Sequence, residues 1–345
     1  MSNTHKLLVS PSPHLHSGDS IERNMYDVII ALVPAFGVSI YYFGFGALWV
    51  TLTSIIACVL FEWLISRFLL GRKEITILDG SAILTGLLLA LNLPSTLPLW
   101  IVIIGALVAI GIGKMSFGGL GNNIFNPAIV GRVMLLISFP VQMTSYPRPF
   151  EDEIVSAGAE AVSGASALVD ATSGATPLAI AKGIVKGAEG FTMDKLPELT
   201  DNLLGMVGGS LGEVSALALL VGFVYLLLRK VISWHIPVAI IGTVAIFAGI
   251  MNGVNPDVYA DPLFHILSGG LLLGAIYMAT DYVTSPMSKS GMLLYGVMIG
   301  IITMLIRLFG SYPEGMSFAI LFMNGIVPII NRYMQPKLFG KSKKS

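Results

Sequence analysis

The sequence predicts an all-α polytopic membrane protein: about ten transmembrane helices in two inverted five-helix repeats, with half-helices near the third and eighth spans. Composition is the first reason. Of 345 residues 54% are hydrophobic and only 12% charged, against about 25% charged in a soluble domain, and the mean hydropathy is +0.81. Patterning is the second, because the apolar residues gather into runs of helix length separated by polar joints. The third is an uneven division of Lys and Arg between alternate joints.

A helix needs about 20 apolar residues to cross a bilayer. Ten runs qualify or nearly do: 25–43, 46–66, 80–93, 97–113, 124–139, 203–228, 234–252, 263–280, 291–309 and 316–333. The third and fifth are short. GSAILTGLLLALNLP (80–94) reads either as a half-helix facing a mid-membrane site or as a tilted packing helix. With the N-terminus inside, fourteen Lys/Arg fall on the inner side and five on the outer, with Arg132 in a span. Both termini are therefore expected in the cytoplasm, with the connection 140–202 outside. That connection carries nine Asp/Glu against four Lys/Arg.

The expected domains are a cytoplasmic N-terminal segment (1–24), a first five-span repeat (25–139), the outer loop (140–202), a second repeat (203–335) and a basic tail (336–345). Five spans per half force opposite orientations on the halves. ILTGLLLA (83–90) recurs as ILSGGLLLG (266–274), and KMSF (114–117) as GMSF (315–318), which supports a repeat. The N-terminal segment lacks an apolar core, so it is no signal peptide. A net charge of zero argues against nucleic acid as a partner, and the single Cys58 excludes an internal disulfide or a Cys₄ cluster.

One stretch interrupts the oily pattern. DATSGATPLAI (170–180) is small and polar, and its Thr176 precedes a proline. Pro177 suits the first turn of a helix and pushes Thr176 out of the α region, so Thr176 is expected as N-cap of a short helix. A Thr-Pro helix start in an exposed loop accounts for that much. A second reading uses the same geometry: free N–H groups and a positive dipole end favour a phosphate, here one esterified to the Thr176 hydroxyl. Ser173, Gly174 and Ala175 leave room for a bulky group or a modifying enzyme, and Asp170 could hold that enzyme's metal or merely solvate the loop.

DATSGATP, with Thr176 as acceptor, resembles the flavinylation motif Asp-x-x-Ser-Gly-Ala-Thr, on which a flavin transferase places FMN through a phosphoester bond. SPHLHSG (12–18), LDGSAILTGLLLALNLP (78–94), FGGLGNNIFNPAIVGR (117–132), YMATDYVTSP (277–286) and YPEGMSFAILFMNGIVPIINR (312–332) resemble further blocks in the same order. Together they are similar to the family of D subunits of the Rnf electron-transport complex. A relative, the B subunit of the sodium-translocating NADH:quinone reductase, usually has a longer N-terminal extension. The resemblance implies a subunit of a redox pump that passes electrons between ferredoxin and NAD⁺ and moves Na⁺ or H⁺. It implies covalent FMN on Thr176 and, by analogy with the relative, a non-covalent riboflavin. The implied partners are other membrane subunits, among them a second covalent-FMN subunit and iron–sulfur subunits, and the flavin transferase. It implies an enzyme only as a subunit: no P-loop, dinucleotide fingerprint or catalytic triad occurs. A solute transporter or channel without flavin explains the spans equally well, but not DATSGATP.

Ionisable groups inside spans mark pathways or pairs. Glu62, Arg132, Glu213, Asp281 and Arg307 qualify. Asp79 and Asp281 border the short third and eighth spans at near-equivalent places; with Glu62 they are the candidate ion path, or else capping acids at a membrane edge. Arg132 is expected to pair with an acid or a flavin phosphate. His14 and His16, two residues apart, make too few ligands for a metal site, and His235 and His265 are expected as solvated imidazoles at span edges.

Overall fold

In this computed structural model residues 20–71, 79–147, 149–150, 176–188 and 191–335 are described. Asp170, Ser173, Gly174, Ala175, His14 and His16 lie outside them, as do most of the N-terminal segment and the basic tail.

Ser20 caps the first helix, its Oγ accepting from Arg23 N at 3.2 Å. Helix α1 (Ile21–Leu64) is broken at Gly44, whose φ of 60° and ψ of −142° leave the helical region. The two arms, 21–43 and 45–64, correspond to the first two expected spans. Helix α2 (Ser81–Leu91) is short and almost wholly buried. Helix α3 (Leu99–Leu107) runs on into a π turn, Val108–Ile112. Asn126 caps α4 (Pro127–Ser138) by accepting from Ala128 N and Ile129 N, and a further turn, α5 (Pro140–Thr144), follows.

Beyond the outer-loop residues come α6 (Pro177–Val185) and α7 (Leu199–Leu204). Helix α8 (Ala216–Leu228) starts well inside the expected span 203–228. The residues before it, GMVGGSLGEVS (205–215), average as apolar but hold four glycines. Gly205 sits at φ 98°, and from a turn in the irregular stretch behind it Leu211 N donates to Leu93 O (3.1 Å) and Gly212 N to Leu91 O (2.6 Å). These bonds satisfy carbonyls that end α2. Hydropathy cannot separate a glycine-rich inserted loop from a helix, which is why the expected span is too long.

Helix α9 (His235–Val254) precedes the eighth expected span, which is split. It consists of α10 (Pro262–Leu267), a break at 268–270 with Gly269 at φ 72°, and α11 (Leu271–Leu273) continued by a π turn, Gly274–Met278. Helices α12 (Lys289–Phe309) and α13 (Met316–Tyr333) complete the chain. Among the described residues no strand occurs, and five helical segments are long and apolar enough to cross a membrane. Around the expected third and eighth spans the helices are short: α2 has 11 residues, and α10 and α11 are parted at 268–270.

Polarity is arranged inside out. Glu62, Lys114, Arg132 and Arg307 are each at most 4% exposed, while Phe45, Leu228, Met287 and Tyr333 are each at least 78% exposed. Such an apolar belt around a charged interior belongs in lipid, where only internal partners can satisfy polar groups. The chain is a multi-pass membrane protein.

Helices α1 and α8 and the π turn after α11 meet tightly at Gly222 of α8. Tyr277 of that turn reaches past it, its hydroxyl 3.2 Å from Ala31 O and 3.1 Å from Leu219 O. A methyl group at Gly222 would overlap both Tyr277 Oη and Ala31 O. Gly222→Ala is therefore expected to destabilise the fold by about 1–3 kcal/mol, the usual cost of overpacking. A lowered thermal midpoint in detergent measures it, and adding Tyr277→Phe should recover part of the loss.

Candidate functional site

Thr176 caps α6. Its backbone is extended (φ −61°, ψ 154°) and its Oγ1 accepts from Ala179 N at 3.2 Å. Two ties dock the helix. Leu178 and Ala181 pack with Ala260 and Phe264. Lys182 Nζ donates to Tyr312 O and, at 3.3 Å, to Ile306 O. Thr176 thereby stands, half-buried, at the edge of a cavity of ≈ 460 Å³ whose walls include Tyr146, Asn202, Glu213, Ser268 and Glu314. Asn202 and Ser268 are 1% and 2% exposed. Among the described residues neither Asn202 Nδ2, Asn202 Oδ1 nor Ser268 Oγ has a hydrogen-bond partner. Buried polar atoms left open cost about 1–3 kcal/mol each, so water, an ion or another group is needed to complete their bonding here.

Beneath this cavity lies a cluster of charges. Arg132 Nη1 donates to Asn92 Oδ1 at 2.7 Å; Nη2 pairs with Glu314 Oε2 and lies 3.5 Å from Glu213 Oε1. The expectation that Arg132 would face an acid is met by two. Gly270, in the break of the split span, donates its N–H to Glu314 Oε1. Arg307 Nη1 and Nη2 donate to His265 O (2.5 Å) and Ser268 O (3.0 Å). Glu213 and Glu314 belong to the connecting segments 205–215 and 310–315. Burial, reinforced by the charge of Glu314, pushes the Glu213 carboxyl up to about 8. Burial acts on Glu314 in the same direction, but Arg132, the Glu213 carboxyl, Arg307 and the Gly270 N–H outweigh it and hold Glu314 below the usual carboxylate range.

The remaining sequence candidates sit elsewhere. Glu62 is buried and paired with Lys114 Nζ at 2.7 Å; Lys114 also donates to Ser81 Oγ at 2.6 Å, and Ser81 donates to Asp79. Ser81 and Lys114 line a second cavity of ≈ 790 Å³, together with Asp281, Thr85, Asn123 and Asn126. Asp79 and Asp281 therefore approach one cavity, one ahead of the N-terminus of α2 and the other just past the C-terminal end of the π turn. Each also serves its own turn: Asp79 Oδ1 accepts from Ser81 N at 2.9 Å, and Asp281 Oδ2 from Thr284 Oγ1 at 3.1 Å. His265, expected in solvent, is 3% exposed because α10 packs inward against α6.

Sequence reading passes over Glu314, Tyr146, Asn202, Ser268, Asn92 and Lys114. Glu314 stands within the block YPEGMSF, but nothing local to it announces a partner 182 residues away. Arg132→Gln leaves two buried carboxyls without their cation and should cost about 3–5 kcal/mol. Thermal unfolding in detergent reads the loss, and the double variant Arg132→Gln/Glu314→Gln should lose less than Arg132→Gln alone.

Known proteins resemble this chain almost end to end. The model of the NQR2, RnfD, RnfE family matches residues 8–340. The D subunit of the proton-translocating ferredoxin:NAD(+) oxidoreductase complex of Clostridium ljungdahlii is 42% identical over 339 residues, 96% of each chain. The D subunit of the Na(+)-translocating ferredoxin:NAD(+) oxidoreductase complex of Acetobacterium woodii is 41% identical, over 99% of this chain and 98% of its own. The D subunit of an ion-translocating oxidoreductase complex of Stutzerimonas stutzeri is also 41% identical, over 94% of each. At this identity and coverage, the chain belongs to the NQR2, RnfD, RnfE family.

Proposed function

We propose that this chain is the D-type membrane subunit of an Rnf-type complex that passes electrons between ferredoxin and NAD⁺ and couples their flow to Na⁺ or H⁺ translocation, with FMN carried covalently on Thr176. The names of the relatives support the complex and the coupled ion. The observation that carries the flavin is the position of Thr176: it caps a helix and borders a cavity whose buried Asn202 and Ser268 are unpartnered among the described residues.

The residues present fit such a group. A phosphoester on Oγ1 would lie at the N-terminal end of α6, where the first N–H groups have no partner in the helix and the dipole favours negative charge. Asn202 offers a donor and an acceptor to the ring system or its side chain, and Ser268 offers a hydroxyl. FMN supplies the one-electron carriage when bound; the chain orients it, screens it from water and sets its electrostatic surroundings. The second cavity, apolar with Asn123, Asn126, Thr85 and Lys114 on its walls, suits a non-covalent riboflavin.

In the same reading both termini are cytoplasmic and the Thr176 face is extracytoplasmic, where the flavin transferase would reach it, and the split and short helices belong to two inverted five-span repeats. Neighbouring subunits would supply the second covalent FMN, the iron–sulfur centres and the NAD⁺ site. Glu62, Asp79 and Asp281, grouped at the opposite cavity, remain the proposed ion path. The quinone-reductase alternative keeps the flavin and changes the electron partner, so the subunits that co-purify separate the two.

In-gel fluorescence and intact mass of the denatured subunit test the attachment. Wild type from cells with an active flavin transferase should fluoresce and carry one added FMN mass on this chain. Thr176→Ala should be dark. Thr176→Asn should be dark as well, yet keep the helix cap that Ala loses, worth about 1 kcal/mol. A dark wild type would end the flavin reading.

A further inference from the structure

We propose that Glu213 sets the reduction potential of a flavin on Thr176: by sharing one proton with Glu314 it leaves the Arg132–Arg307 pair with one uncompensated positive charge facing that flavin. The inference rests on the flavin reading and names the residue that tunes it.

Glu213 and Glu314 both line the cavity that Thr176 borders. Their carboxyls converge on one point: a methyl group built on Gly270 would lie 2.5 Å from Glu314 Oε1, 3.2 Å from Glu213 Oε1 and 3.4 Å from Arg132 Nη1. Both carboxyls also reach for one guanidinium nitrogen, Arg132 Nη2, Glu314 Oε2 directly and Glu213 Oε1 at 3.5 Å; two carboxyls crowded on one cation in a low-dielectric site favour holding a single proton between them. Glu314 is the anionic member, because it takes Arg132 and the Gly270 N–H. Glu213 is the proton-bearing member. Among the described residues its Oε1 accepts no hydrogen bond, and its Oε2 takes only a long one, from Ser210 N at 3.4 Å. The upward displacement of the Glu213 carboxyl to about 8 agrees with that assignment.

Every packed element contributes charge or a titratable group: Arg132 from α4, Arg307 from α12, Glu314 from the 310–315 segment, and Tyr146, whose phenol is kept protonated by burial and the nearby Glu213 carboxyl. Lys182 on α6 adds a further cation at the Tyr312 and Ile306 carbonyls, but burial, with Lys186 nearby, lowers it to about 8, so its charge is lost over the same pH range. With Glu213 neutral, two guanidinium groups face one carboxylate, and an electron delivered to the flavin by a one-electron donor meets net positive charge. When Glu213 loses its proton to water, that charge is cancelled and the electron is held less tightly. Reduction then becomes linked to proton uptake by Glu213 above its pKa and is unlinked below it.

Spectroelectrochemical titration of the purified complex, taken as wild type minus Thr176→Ala to isolate this flavin, tests the proposal. The pH course of Glu213→Gln, a shape-preserving neutral substitute, carries the flavin's own proton uptake and the titration of Lys182. Wild type should share its potential and slope below about 8 and fall more steeply than Glu213→Gln above it. A pH course unchanged by Glu213→Gln, or a wild type with no bend, overturns the proposal while leaving the flavin in place. Absence of the flavin from wild type overturns the proposal together with the reading beneath it. A flavin-independent check uses infrared difference spectra of the subunit across the same pH step. A protonated-carboxyl band that disappears on alkalinisation and is missing in Glu213→Gln is expected; a wild type without that band contradicts the shared proton.

Discussion

The guanidinium of Arg132 is the constraint on which the rest depends. It is 4% exposed in the middle of an apolar helix, where an unpaired cation would be untenable. Its partners come from three other stretches: Asn92 at the end of α2, Glu213 from the inserted 205–215 segment and Glu314 from the turn between α12 and α13. Satisfying one side chain therefore brings the short third span, the start of the second half and the end of the chain to one place. The Gly270 N–H, bonded to Glu314, adds the break of the eighth span. A side chain at 270 would crowd the Glu314 and Glu213 carboxyls and displace Glu314 from the Gly270 N–H.

That convergence explains why the cavity beside Thr176 exists. The 205–215 segment enters far enough for Gly212 to bond Leu91 O, where a Cβ would lie 2.8 Å from the same oxygen. Asn202 and Ser268 are carried in with it and with the α10 break. The cavity is thus a by-product of helices that stop short, and stopping short is what lets loops carry polar groups to membrane depth. On the opposite face a second ion pair, Glu62–Lys114, does the same for the larger cavity. Between them α1, α8 and the π turn after α11 interlock at Gly222 and Tyr277.

Much of this is legible in the sequence. The long runs become helices almost to the residue at 291–309 and 316–333, because apolar periodicity over such lengths is a strong signal. Thr176 as a helix cap is legible because Thr-Pro obeys local rules. The stretch 205–215 is not, since hydropathy counts its glycines and Leu, Met and Val as membrane helix and is blind to the backbone bonds that hold it inside. Nor are Glu314, Asn202 and Tyr146, whose roles come from residues far along the chain. Asp281 lines the larger cavity and Asp79 reaches it only through Ser81, a proximity that no local pattern announces.

The most direct test is a high-resolution cryo-electron-microscopy map of the purified complex around Thr176. Density continuous with Oγ1 is expected, with a phosphate at the start of α6 and a flat ring system lying between Asn202 and Ser268. A bare Thr176 hydroxyl over a cavity holding only water would contradict the covalent flavin.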